Sequence, residues 1–311
     1  MSAETFDITI LGANSAVPAH GRHPSSQYVR IGQDALLIDC GEGTQMQLKK
    51  FRCKLNRIAY IFISHLHGDH FYGLIGLLSS MQLQRRERLL TLIGPPGLDE
   101  IITVQLKHSQ SALEFPLRFL AVQPTAKELL VEEPSYRVYG FPLQHRIPCT
   151  GFLIEEKTPF RKLIKEALEA DRPPVEVIKA LREGRELPDP ETGEVRYPLS
   201  RYAYPSPQPR SYAYCSDTKY FPELADMIRG VSLLYHESTF SQIDAQRALE
   251  TGHSTTRDAA FSALRAEAGE LLLGHFSSRY VDLAPLLAEA QTIFPSSHLS
   301  EEGKTFIPKV R

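Results

Sequence analysis

Two hydrophobic rhythms alternate along the chain, and each change between them marks a change of element. Residues 6–11 (FDITIL), 27–31 and 35–38 carry the dense apolar runs of buried strands, and 44–51 takes helical spacing. Residues 58–63 (IAYIFI) read as another buried strand, after which Phe71, Leu74, Ile75, Leu78 and Met81 recur at steps of three and four, the spacing of a helix. Within 89–145 the runs LLTLIG, LRFLAV and YRVYGFPLQH predict three more strands, with a helix over 98–113, and RIPCTGFLIE continues as a hairpin-like segment. From 208 the alternation resumes with SYAYCSD, a helix to about Arg229, SLLYHEST, a helix near 241–250 and a helix over 256–267. Thr255 and Asp258 have capping-box spacing for the last of these. ELLLGHFSSRY is then the last core strand, followed by one more helix and the tail. Strands and helices alternating in two halves, 1–145 and 208–300, predict an α/β fold of two sheets packed face to face and flanked by helices.

Residues 156–207 break this rhythm. They are rich in Pro and charge and hold two short helical patterns separated by Arg172, Pro173 and Pro174, so they read as a protruding helical insertion into a single domain spanning 1–311. Between 157 and 196 nine basic residues face nine acidic ones, which offers mixed pairs rather than a basic sheet.

Chemistry concentrates where the 58–63 strand stops. In SHLHGDH four potential ligands, His65, His67, Asp69 and His70, fall within six residues. Crowded imidazoles repel one another once protonated, so a metal is what favours their grouping. His65 and His67 can converge on one cation, and Gly68 lets the backbone turn so that Asp69 and His70 face a second; a pair of zinc ions is the expectation. His145, Asp217 and His275 each close a predicted strand and complete a set of seven ligands. Asp39 also ends a strand, before the glycine-rich GEGT, and reads as a supporting carboxylate rather than a ligand. The early loop GANSAVPAHGRHPSS could line a pocket, with His20 and His23 as solvated loop residues.

Composition adds bounds. The chain has 311 residues, 42% of them hydrophobic, enough for a substantial core. No run approaches the ~20 apolar residues of a membrane span, and the start lacks a signal core, so no membrane partner and a cytoplasmic location are expected. Cys40, Cys53, Cys149 and Cys215 show no CxxC spacing and read as reduced, mostly buried thiols. A net charge of −2 gives no overall field for nucleic acid. Local patches could still supply contacts: five cations without an acid occur over 49–57, either a solvated face or phosphate contacts near the metals, and Arg85, Arg86 and Arg88 are a weaker case of the same kind.

The HxHxDH pattern of residues 65–70 resembles the signature of the metallo-β-lactamase superfamily. Together with GEGTQ, YCSDT, HEST, GHST and HFSSRY, it makes nearly the whole chain similar to the ribonuclease Z family, endonucleases that mature the 3′ end of precursor transfer RNA. The resemblance implies a four-layer αββα metallo-β-lactamase sandwich, two Zn2+ per subunit, and a homodimer. It implies a phosphodiester hydrolysis by metal-activated hydroxide that leaves a 3′-hydroxyl on the transfer RNA, and makes 156–207 a flexible arm gripping its elbow. His65, His67 and His145 would hold one zinc, Asp69, His70 and His275 the other, and Asp217 would bridge them. Asp69 would also accept the proton of the attacking water. For the leaving group, His253 oriented by Glu237 is the expected proton donor, with its pKa depressed by a helix N-terminus. Arg279 is the expected phosphate clamp, and Lys54 the substrate contact of the family's PxK loop, which here reads Arg52-Cys53-Lys54 without proline. A small-molecule hydrolase on the same scaffold, and a catalytically silent RNA- or zinc-holding protein, stay open as alternatives.

Overall fold

A computed structural model describes residues 5–158, 160–205 and 208–310. The chain forms two compact units, one running to Glu155 and resuming over Arg210–Lys309, the other containing Glu156–Pro209.

The larger unit is built on two seven-stranded mixed sheets. The first contains β1 (Phe6–Gly12), β2 (Ser26–Ile31), β3 (Asp34–Ile38), β4 (Ile58–Phe62), β5 (Leu90–Gly94), β6 (Leu117–Ala121) and β14 (Thr305–Phe306), in the order β14-β1-β2-β3-β4-β5-β6. The second contains β7 (Glu128–Glu132), β8 (Tyr136–Leu143), β9 (Cys149–Glu156), β10 (Ser211–Cys215), β11 (Leu233–Glu237), β12 (Glu270–Gly274) and β13 (Ser297–Leu299), in the order β13-β12-β11-β10-β9-β8-β7.

Strand periodicity explains the layers. In β3, Leu36 and Ile38 belong to an apolar core shared with Phe152, Tyr212 and Leu234 of the second sheet, whereas Ala35 and Leu37 face a second core with Leu48, Leu74, Leu78 and Ile102 of the flanking helices. Phe62 meets Phe152 between the sheets at 5.1 Å. The same apolar cluster continues to Ala259, Ala260 and Ala263 of the helix Thr256–Arg265, which packs on β11 and β12 of the second sheet. Helix, sheet, sheet and helix thus form the expected four-layer sandwich.

Several elements differ from the periodicity reading. The helix expected from Phe71 onward is interrupted, Gly68–Phe71 and then Leu74–Leu83. The break falls at Gly73, where a Cβ would lie 2.2 Å from the Gly41 carbonyl oxygen, so the backbones touch there. The helix expected over 98–113 ends at His108, and the one expected to reach Arg229 is a single turn, Leu224–Met227. β12 is not the last core strand: β13 pairs with it in parallel and β14 pairs with β1. At three and two residues these strands are too short for a period to show in sequence.

The smaller unit holds the helices Lys165–Asp171, Val175–Arg182 and Leu199–Tyr202, with Arg172 left-handed at the break before Pro173. Asp171 draws it together, accepting from Tyr202 Oη at 2.6 Å and pairing with Arg201 at 2.5 Å. Positions 159, 206 and 207 of the expected insertion lie outside the described residues.

Of the cysteines, Cys40, Cys149 and Cys215 are buried, Cys53 is partly buried, and all four are free. Among the described residues no helix is long and apolar enough to cross a membrane.

Candidate metal centre

Strand ends carry the seven candidate ligands to one place. His65, His67, Asp69 and His70 follow β4, His145 follows β8, Asp217 follows β10 and His275 follows β12. His65 and His70 are fully buried, and His275 and Asp217 nearly so.

Their donor atoms fall into two sets. In one, His65 Nε2 lies 3.0 Å from His67 Nδ1, His67 Nδ1 lies 3.2 Å from His145 Nε2, and Asp217 Oδ2 is 3.5 and 3.6 Å from His65 and His145. In the other, Asp69 Oδ2 stands 3.5 Å from both His70 Nε2 and His275 Nε2, and Asp217 Oδ1 stands 3.2 Å from each. Tetrahedral zinc with arms of ~2.0–2.1 Å has donor-to-donor edges of ~3.3 Å, which both sets match. The ring nitrogens His70 Nε2 and His275 Nε2 are buried with no hydrogen-bond partner, a costly arrangement unless a cation takes their lone pairs. The residues present therefore fit two metal ions, with Asp217 giving one oxygen to each set.

Surrounding groups hold the imidazoles in the tautomer a metal needs. Asp39 Oδ2 takes the His70 Nδ1 proton at 2.7 Å and also accepts from Tyr214 Oη at 2.6 Å, while Asp39 Oδ1 accepts from the Ser64 amide. Asp39 is thus a supporting carboxylate, as its place at a strand end predicts. His145 Nδ1 donates to the Gly252 carbonyl at 2.8 Å, leaving Nε2 free. The Ala16 amide donates to Asp69 Oδ2 at 2.7 Å.

Charge follows from burial and neighbours. Burial, with His70 close by, pushes His65 below the ordinary histidine range, and burial lowers His67 and takes His145 down to about 4, so these rings are neutral and ready to ligate. Burial would raise the Asp217 and Asp69 carboxyls, but His275 and His70 respectively lead the opposing attractions that hold both well below the usual carboxylate range. Burial likewise opposes charge on His70, yet Asp217, Asp69 and Asp39 outweigh it and hold the ring well above its ordinary value.

Beside the ligands stands a second pair. Glu237, fully buried, accepts from His253 Nδ1 at 2.9 Å, and His253 Nδ1 lies 3.9 Å from Asp217 Oδ2. Burial disfavours a charged His253, but Glu237 and then Asp217 and Asp69 overcome it and raise the ring to about 9. This reverses the depression expected from a helix N-terminus. The helix cap is Thr255, closed by Asp258 in a capping box, and the carboxylates nearer the ring outweigh the helix dipole.

The open side of the cluster is a cavity of about 440 Å³ lined by His67, Asp69, Asp217, His253 and His275 together with Ser15–Pro18, Pro24, Glu42, Tyr72 and Arg146. The early Gly- and Pro-rich loop does line it. His20 and His23 are loop anchors rather than merely solvated side chains: His20 Nε2 meets the Ser278 carbonyl at 2.7 Å and His23 Nδ1 meets Glu302 at 2.9 Å. Arg146 and Tyr72 escape a sequence reading, because one follows a candidate ligand and the other looks like ordinary helix surface.

Arg279 and Lys54 lie outside this lining. Arg279 pairs with Asp244 at 2.7 Å and stacks over Phe240. Lys54 precedes β4, whereas the ligands follow it, and shares a smaller basic pocket with Arg30, Arg52 and Arg57. Arg86 is no surface cation: it is 5% exposed and donates to the carbonyls of Ile58, Arg88 and Leu89.

Comparison with known proteins sets this geometry in a lineage. The family model described as Anti-Pycsar protein Apyc1 matches residues 6–160, ending before Asp217, Glu237, His253 and His275. The ribonuclease Z of Parabacteroides distasonis is 44% identical over 298 residues, covering 96% of this chain and 97% of the relative. Human tRNase Z, short form, superposes with a TM-score of 0.72 at 28% identity, covering 98% of this chain and 100% of that one. The metallo-β-lactamase fold protein YhfI of Bacillus subtilis, 18% identical, shares the fold with a TM-score of 0.68 over 98% of this chain and 99% of its own.

Proposed function

The chain belongs to the ribonuclease Z family, and from that premise we propose that it is a two-zinc endoribonuclease removing the 3′ trailer of precursor transfer RNA. The observation that carries the reading is the division of Asp217, Oδ1 toward Asp69, His70 and His275 and Oδ2 toward His65, His67 and His145. Bound there, two divalent cations would lower the pKa of a water and offset charge on the attacking and leaving oxygens of a phosphodiester.

The protein's own residues do the rest. Asp69, with Oδ2 held by the Ala16 amide, accepts a proton from the attacking water. His253 carries a proton at neutral pH because Glu237 sits against Nδ1, and its free Nε2 is the atom that protonates the leaving oxygen. Arg146 contributes a cation to the cavity wall beside the cluster, where an RNA phosphate would enter. Arg279 and Lys54 contact the RNA farther from the scissile bond. The unit containing Glu156–Pro209 binds the body of the transfer RNA, and the working form is a cytoplasmic homodimer.

The test is to incubate zinc-loaded protein with a 3′-extended transfer RNA and, separately, with small phosphodiesters and lactones. One cut just past the discriminator base, leaving a 3′-hydroxyl, is expected. Turnover of small molecules alone would replace this reading with that of a small-molecule hydrolase, and no turnover of any substrate would end it. Light scattering should give twice the mass of the chain.

A further inference from the structure

A single hydroxyl joins the two functional clusters. Thr239 Oγ1 lies 2.5 Å from Glu237 Oε2, 2.9 Å from His275 Nδ1 and 3.5 Å from His253 Nδ1. It follows β11 and is 3% exposed, so water does not compete for these bonds.

Hydrogen-bond arithmetic decides which way the protons point. A hydroxyl has one proton to give, and an ionised carboxylate only accepts. Glu237 accepts from the Thr218 amide at 2.8 Å and from the Thr239 amide at 3.3 Å as well as from His253, the surroundings of an anion. The hydroxyl proton therefore goes to Glu237, and a lone pair of Oγ1 takes the N–H of His275. That leaves His275 Nε2 bare, and this is the buried, partnerless nitrogen facing Asp69 and Asp217. Asp39 does the same for His70 directly, whereas His275 depends on a neutral hydroxyl whose own orientation is set by the carboxylate that holds His253.

We propose that Thr239 is a positioning residue that selects the metal-binding tautomer of His275 and, through the same oxygen, locks the Glu237–His253 pair to the metal centre. This rests on the reading of Asp69, His70, His275 and Asp217 as a cation site. Valine at this position would keep the shape of threonine but could neither accept from His275 nor donate to Glu237. The His275 Nδ1 proton would then be buried without a partner, which favours loss of that tautomer.

The experiment uses the full-length zinc-loaded protein and measures zinc retained against graded chelator for the wild type, Thr239→Val and Thr239→Ser, with the thermal midpoint of each metal-free form. The wild type should release zinc in two steps. In Thr239→Val the weaker step should move to about 10–100-fold weaker chelation while the tighter step stays, and Thr239→Ser should restore the wild-type curve. Two unshifted steps in Thr239→Val overturn the proposal. So does a lowered midpoint of the metal-free variant with unchanged zinc retention, the mark of a merely structural threonine. Long-range proton–nitrogen NMR of the wild type tests the tautomer independently of any variant: His275 should carry its proton on Nδ1, and a bare Nδ1 sinks the idea. A wild type that retains no zinc at all overturns the cation-site reading itself, and this inference falls with it.

Discussion

Glu237 Oε1, itself fully buried, lies 2.9 Å from His253 Nδ1 at the cavity wall, so the imidazole keeps its proton well above neutrality. The charge on Glu237 raises the His253 pKa, and removing it lowers that pKa. With His253 as the acid, activity falls as pH rises through its pKa. Glu237→Gln should therefore move the alkaline limb of the kcat/KM profile down by roughly 1–3 pH units. An alkaline limb unchanged in the variant would show that another group donates the proton.

Asp69 faces the candidate cation site and is the proposed acceptor of the attacking water's proton. Asp69→Ala should cut kcat on a transfer RNA precursor by about 10³-fold or more, with KM little changed. Single-turnover cleavage measures this. A loss confined to KM would assign Asp69 to substrate binding instead.

Asp39 touches no candidate metal position but takes the His70 Nδ1 proton at 2.7 Å. Asp39→Asn should weaken metal affinity by about 10–100-fold, read by competition with a chromogenic chelator. Because imidazoles must be neutral to ligate and Asp39 helps hold the His70 pKa up, losing its charge eases proton competition, so the deficit should shrink as pH falls from 7 toward 5. Wild-type affinity in the variant would leave Asp39 with a folding role only.

Arg146 lines the cavity beside His145 and makes no ion pair among the described residues. Arg146→Ala should lower kcat/KM for transfer RNA about tenfold or more. It should also make the salt dependence of binding shallower by about one unit of slope. If the slope is unaltered, Arg146 meets no phosphate.

Deleting 160–200 should raise KM for transfer RNA and spare a small phosphodiester, since the candidate metal centre belongs wholly to the other unit. Equal losses on both substrates would contradict the assignment of RNA binding to this segment.

Periodicity and one dense motif determined a good deal. Leu36 and Ile38 against Ala35 and Leu37 encode a strand buried on both faces, and hence a sheet between two layers. SHLHGDH marks a candidate metal-binding turn by density alone, because its four candidate ligands adjoin one another in the chain. The capping box of Thr255 and Asp258 was legible for the same reason: it is a local interaction at fixed spacing.

What only the tertiary structure decided depends on residues far apart in the chain. The bridging place of Asp217 was implied by the family resemblance, but its donor distances, the reversal of the His253 pKa by Glu237, and the hydroxyl of Thr239 between Glu237 and His275 arise where separate strands end together. Arg86 makes the point in the other direction, a cation in a basic run that the fold turns inward onto three carbonyls. A side chain's type travels with the sequence, but its charge, tautomer and exposure are set by neighbours that only folding brings within a few ångströms.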